Sequence, residues 1–274
     1  MITDEQKALR HLGIGGSDVP IIMGLSNFMT PVCLWLQKRG ETVPESTESP
    51  QAYWGNILED VVRQEFIKRH NVYVEQPDTV INESYPFMRG NIDGFILNEN
   101  AVLEIKTANQ FLSHEWGQDA VGIPPRYLVQ LAYYCMITNA SRGYIAVLIG
   151  GQDYREFIYE RDEFLEADIL IACEKFWECV QTGEQPPAQL ADMKYLYKAQ
   201  TSKSIVWGNE QQDAVAKLLQ LKAQARQLEQ QEDEAKFVIM DYMKDAEYLT
   251  DVDGKVVVSW KANKRGRTFL VKGE

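Results

Sequence analysis

Apolar positions recur along the chain with two distinct periods. Between residues 52 and 70, Leu58, Val61, Val62 and Phe66, with Trp54 near the start, return every three or four residues, which is the spacing of one helix face. Thr30-Pro31 opens an earlier helix that carries Leu34, Trp35 and Leu36 and stops near Gly40. Tyr127 to Thr138 and Asp162 to about Gln181 predict two further helices, the second ended by Gly183 and Pro186-Pro187. The period shortens to two in Val72–Val74, Met88–Leu97 and Ala101–Thr107, which predicts three strands of an antiparallel meander. Gly143–Ile149 and Tyr154–Tyr159 predict two more strands, joined at Gly150-Gly151-Gln152-Asp153.

The two ends of the chain read differently. Residues 3–11 predict a short helix leading into Gly13-Ile14-Gly15-Gly16-Ser17-Asp18, where Ser17 or Asp18 is expected to cap a helix running through Met23 and ending at Gly24. No strand precedes these glycines and their last position is Asp18, so they are not a dinucleotide fingerprint; free amides there suit an anion, or only a capping turn. From Gly208 to about Met243 the pattern is one long helix or a helical pair. Leu221, Leu228, Ala235 and Tyr242 are seven apart, as are Leu218, Ala225, Glu232 and Ile239, a heptad-like seam broken by Glu232. That seam is expected to pack against the body of its own subunit, with a subunit or partner contact as the second reading. Lys255–Trp260 and Thr268–Lys272 predict a β-ribbon, so residues 1–190 form the main domain and 191–274 an extension.

Composition narrows the class. With 45% apolar and 25% charged residues, 274 residues are enough to bury a full core. The best apolar run, Tyr144 to Ile149, has strand length and not membrane length, and Met1 to Glu5 lack the features of a signal peptide, so a cytoplasmic protein with no membrane association is expected. Cys33, Cys135, Cys173 and Cys179 form no C-x-x-C pair, which favours reduced, buried thiols over disulfides or zinc. The net charge of −12 argues against a protein that simply coats nucleic acid. The charge is uneven: all of the −12 lies in residues 1–200, whereas residues 201–274 carry 12 basic and 12 acidic side chains. Gly254 to Gly273 holds Lys255, Lys261, Lys264, Arg265, Arg267 and Lys272 without an acid, a basic edge that is either solvated or in contact with phosphates.

The strongest chemical signal is Leu103-Glu104-Ile105-Lys106. Residues i and i+2 of a strand point to one side, so Glu104 and Lys106 project together while Leu103 and Ile105 face an apolar core. Asp93, across a turn at Asn98-Glu99-Asn100, supplies a third group. Hard carboxylate oxygens suit Mg²⁺, with the lysine beside an attacking water; a solvated salt bridge is the alternative, and spacing leaves both open. Glu59 sits beside the buried face of its helix, and Gln130 and Tyr134 share a face one turn apart.

The order of these motifs resembles the core of the PD-(D/E)XK nuclease superfamily and, more narrowly, the YqaJ-type viral recombinase exonucleases related to the phage lambda exonuclease. The resemblance covers roughly residues 9–182 and rests on Gly13 to Asp18, Trp54 to Glu59, Asn91-Ile92-Asp93-Gly94, Leu103 to Lys106 and Tyr127 to Tyr134 in family order. It implies an α/β (α+β) restriction-endonuclease-like core, a mixed central sheet flanked by helices, followed here by a long helix and β-ribbon. It further implies that Asp93 and Glu104 bind metal and that Glu59 completes the metal shell. Lys106 attends the attacking water, Gln130 supports the site with Tyr127 beside it, and Arg10 and Ser17 hold a terminal 5′-phosphate. Asn91-Ile92-Asp93 stands where the superfamily name has Pro-Asp. The activity implied is an Mg²⁺-dependent exonuclease, with Mn²⁺ as a substitute, that degrades one strand of linear double-stranded DNA 5′ to 3′ in phage-type recombination. The partners implied are further copies in a trimeric ring and a single-strand annealing protein. An endonuclease of the same superfamily, or a DNA-end-binding scaffold with a vestigial centre, are the alternatives.

Overall fold

Strand β5, Ala101–Ala108, is apolar on both faces except at Glu104, Lys106 and Thr107, and a strand of that kind is stable only between two covered layers. A computed structural model describes residues 9–41, 49–117, 122–197, 202–264 and 266–272, with Leu9, Arg10 and Asn263 given by backbone alone. It divides into two compact units, 1–199 and 200–274.

In the first unit β5 lies at the centre of a five-stranded sheet. The strand order is β1 (Val74–Glu75), β4 (Gly94–Ile96), β5, β6 (Arg142–Ile149), β7 (Asp153–Glu160). β5 and β6 run parallel and every other pair is antiparallel. A parallel pair needs a crossover, which helix α4 (Pro125–Thr138) supplies. Leu103, Ile105 and Tyr144 face α3 (Pro50–His70) and bury against Val62 and Phe66. Val102, Ile145 and Val147 face the other way, into the larger core with Leu131 and Tyr133 of α4 and Ile169 and Phe176 of α5 (Glu163–Thr182). The sheet is therefore a wall with a helical layer on each side, and Glu104 and Lys106 project from the α4 side.

Several expectations need correction. Met88–Leu97 is not one strand: β3 (Arg89–Gly90) pairs with β2 (Val80–Ile81) in a separate sheet, and the chain leaves the ladder at Asn91-Ile92-Asp93 before β4 begins. There the Asp93 carboxylate accepts the Ile105 N–H at 2.8 Å, so a side chain takes the place of a ladder bond. Close packing also constrains β4, since a Cβ at Gly94 would lie 2.4 Å from Val74 Cγ1. On α3, Trp54 and Val61 are exposed, whereas Arg63 is buried. Residues 9–12 form a 3₁₀ turn, Leu9–Leu12, and not a full α-helix; the remainder of the expected helix lies outside the described residues.

The glycine-rich turn continues as a 3₁₀ turn, Gly16–Asp18, then α1 (Val19–Ile22) and α2 (Pro31–Lys38), which is capped by Thr30 Oγ1 accepting the Cys33 N–H at 3.2 Å. Asp18 does not cap forward, and Ser17 makes no cap: the Asp18 carboxylate reaches back to the Gly15 N–H at 2.8 Å. The first unit ends in the short α6 (Met193–Leu196).

The second unit begins with α7, Asn209–Met243, a single helix of 35 residues. Leu221, Leu228 and Tyr242 of the heptad-like seam are exposed. Its sheet has three strands: β8 (Tyr248–Thr250), β9 (Val256–Asn263) and β10 (Gly266–Val271). Arg267 lies 3.8 Å over the Trp260 ring and donates to the carbonyls of Lys244 and Ala246 at 2.7 Å each, so this member of the basic stretch holds the sheet. Among the described residues no helix is long and apolar enough to cross a membrane. The four cysteines are free thiols.

Candidate active site

A cleft of about 570 Å³ opens between the glycine-rich turn, the first half of α3, the 89–93 segment, β5 and α4. Three secondary elements and one break between strands deliver five groups. Strand β5 contributes Glu104 and Lys106, which meet in an ion pair on the shared face. The break before β4 contributes Asp93, α4 contributes Gln130 and α3 contributes Glu59; all five side chains line the cleft.

Glu104 is the most enclosed of these, at 2% exposure. Its Oε1 accepts from Lys106 and, at 2.7 Å, from Gln130 Nε2, which also lies 3.5 Å from the Tyr134 hydroxyl. Its Oε2 is buried with no hydrogen-bond partner. Burial raises the Glu104 carboxyl above its ordinary range, against the pull of Lys106. Burial, then the neighbouring Glu104 charge, pushes Asp93 up to about 8. Burial draws the Lys106 ammonium down, but Glu104 and Asp93 together outweigh it, so Lys106 is held above its usual value and keeps its proton.

Glu59 Oε1 is paired with Arg63 Nη2 at 2.5 Å. Among the described residues no three carboxylate, imidazole or thiol groups converge into a finished ion cage. The donor set nevertheless fits a hard divalent cation: all donors are carboxylate oxygens, one is orphaned, and an ammonium already lies against its partner oxygen.

The residues expected to hold a phosphate are placed unequally. Ser17 is exposed and lines the cleft, whereas the Arg10 side chain lies outside what the structure describes. The Gly15 amide is taken by Asp18, whose carboxylate also pairs with the buried Lys38 at 2.6 Å, so an internal anion occupies this amide. Tyr127 is half-buried, stacked on Trp116 at 5.2 Å, with Lys106 Nζ 5.4 Å from its ring; it backs the lysine.

Sequence reading missed Arg63, Lys38, Arg89 and the fit around Tyr134. Arg63 follows Glu59 by one turn, an i,i+4 acid–base pair that was a usable signal. Arg89 packs over Gly13 with a buried Nε that has no partner, and no local pattern announces it. Tyr134 lies so close to Gly16 and Gly90 that a Cβ at either would stand 2.4 and 2.6 Å from its ring.

Comparison with known proteins places the family and the fold. The model of the YqaJ-like viral recombinase domain matches residues 5–141. The uncharacterized protein YqaJ of Bacillus subtilis (strain 168) is 35% identical over 258 residues, covering 90% of this chain and 80% of that protein. The crystal structure of an alkaline exonuclease, LHK-Exo, from Laribacter hongkongensis superposes with a TM-score of 0.56 at 18% identity, covering 71% of this chain and 96% of that one. A putative exonuclease from Eubacterium rectale superposes with a TM-score of 0.50 at 14% identity, covering 75% and 96%. The structural likeness establishes the fold, a restriction-endonuclease-like mixed sheet flanked by helices. With a sequence match that runs through the glycine-rich turn, Glu59, Asp93, Glu104, Lys106 and Gln130, the chain belongs to the YqaJ-like viral recombinase family.

Proposed function

We propose that this protein is a divalent-metal-dependent exonuclease that hydrolyses phosphodiester bonds at the ends of linear double-stranded DNA in phage-type recombination, removing one strand 5′ to 3′. The observation that carries the reading is the convergence of Asp93, Glu104 and Lys106 on one cleft wall, with a buried Glu104 oxygen that lacks any partner. The name and fold of the Laribacter alkaline exonuclease support the reaction class.

Asp93, Glu104 and Glu59 are the residues that would hold Mg²⁺, or Mn²⁺ in its place. When bound, the cation would neutralise charge on the scissile phosphate and lower the pKa of the attacking water. The protein supplies the rest. Gln130 fixes the Glu104 carboxylate by a charge-assisted hydrogen bond, and Lys106, paired with the same carboxylate, attends the attacking water as orienting donor or as base. Asp93, Glu104 and Glu59 offer a phosphate only carboxyl oxygens, so substrate engagement should depend on the cation. At the other end of the cleft, Ser17 and Arg89, with Arg10 nearby in sequence, are the donors available to a 5′-phosphate.

The test is digestion of end-labelled linear duplex, with and without Mg²⁺, carrying 5′-phosphate or 5′-hydroxyl ends, beside covalently closed circles. Loss of linear DNA from the 5′ end only with metal, with circles intact and Lys106→Ala inactive, is expected. Cleaved circles would make it an endonuclease, and end binding without cleavage in Mg²⁺ or Mn²⁺ would make it a scaffold. An assembly of copies enclosing the duplex would reconcile the acidic chain with DNA; light scattering should then give a trimer, and a monomer at working concentration would remove that part.

A further inference from the structure

Arg63 is a cation at 5% exposure on α3, buried beside Val62 and one turn before Phe66. Burying a guanidinium is costly unless every donor is used, and here the donors reach three separate groups. Nε donates to the Asp93 carbonyl at 3.1 Å, Nη1 to Asp60 Oδ1 at 2.8 Å and Nη2 to Glu59 Oε1 at 2.5 Å. Two of these belong to the candidate metal shell, one from a helix and one from the strand break 30 residues further along. The sheet ladder is absent at Asp93, so its carbonyl needs a donor, and Arg63 is that donor. The same planar fork is already spent on Glu59, which ties the two segments at a fixed spacing.

We infer that Arg63 is a positioning residue: it sets Glu59 relative to Asp93, so that a carboxylate from α3 and one from the strand break reach the same cation. The inference rests on the reading of Asp93, Glu104 and Glu59 as metal-holding groups, and it adds a residue that touches neither metal nor substrate. A lysine at this position has the charge but not the fork, and cannot hold the Asp93 carbonyl and the Glu59 carboxylate together.

Mn²⁺ affinity of the purified full chain, read from the free-ion electron paramagnetic resonance signal, tests it without recourse to activity. Arg63→Lys should weaken Mn²⁺ about 10-fold, as loss of a group that orients a ligand commonly does. In a Glu59→Gln background the same change should have a clearly smaller effect, because only its hold on the Asp93 carbonyl is then left to lose. Equal and additive losses in both backgrounds would mark Arg63 as a general packing residue and overturn the inference. If Arg63→Lys does not fold, Asp60→Asn carries the test. Asp60 is exposed and meets Arg63 Nη1, and its loss should weaken Mn²⁺ several-fold more than Glu65→Gln, which removes an equal charge from the same helix. Equal effects of these two would also overturn the inference. Failure of the underlying reading looks different: the parent and Glu104→Gln would then bind Mn²⁺ alike.

Discussion

Replacing Glu104 by Gln is the most informative perturbation of the cleft, because it changes one charge at a site of 2% exposure and almost no volume. In the metal-free protein two terms oppose each other. The carboxylate attracts Lys106, but its Oε2 is buried without a partner, which costs about 1–3 kcal/mol. The amide gives up the ion-pair attraction but also the desolvation cost of a buried charge, so its metal-free melting temperature should stay within a few degrees of the parent. With metal the two proteins should part. At 100 times Kd a ligand that binds only the folded state adds about 2.7 kcal/mol, which for a domain of this size raises Tm by about 5–10 °C. The parent should show that rise in Mg²⁺ and Glu104→Gln should not. Its nuclease rate should fall by at least about 10³-fold, as expected when several kcal/mol of metal-assisted stabilisation is lost. Differential scanning fluorimetry with and without Mg²⁺, run beside the end-labelled digestion, reads both. An equal metal-induced rise in the two proteins, or a variant keeping more than about a tenth of parental activity, would refute the assignment of Glu104 as a metal ligand.

Other outcomes follow from the same geometry. Gln130→Leu removes the 2.7 Å bond to Glu104 and should lower turnover about 10- to 100-fold in the digestion assay; unchanged turnover would show that Lys106 alone orients the carboxylate. Gly16→Ala drives a methyl to within 2.4 Å of the Tyr134 ring and should cost about 1–3 kcal/mol, read by urea denaturation. Because the Asp93 carboxyl is raised to about 8 by burial first and Glu104 second, its contribution to stability is present at low pH and is lost as pH rises through that value. The Tm of the EDTA-treated protein should therefore fall between about pH 5 and pH 8, with a shallower fall in Asp93→Asn; parallel curves would show that another group governs this window.

How much of this was legible in the sequence varies by residue, and the division has a physical basis. Glu104 and Lys106 share a face because strand geometry repeats every two residues, and Gln130 and Tyr134 share one because a helix turns every 3.6. Those relations are covalent and local, so they were readable directly, together with α4, α5, β6 and β7; that residues 209–243 form one helix and not a pair was settled only by the fold. The family motifs ordered the same groups into one site, but only folding chose their partners. Asp93 lies between β3 and β4 and not within a strand, with its carboxylate taking the Ile105 amide. Arg63 is buried, where the helical pattern expected Trp54 and Val61, because Asp93 and Glu59 converge on it from different segments. Asp18 turns back to Gly15 and Lys38 and fills an amide that, in the sequence, suits an outside anion or only a capping turn. Sequence by itself determined which groups stand on which face of each element. The tertiary structure alone decided which buried charges meet, since that choice is made by hydrogen bonds between segments far apart in the chain, in a medium where an unpaired charge is too costly to keep.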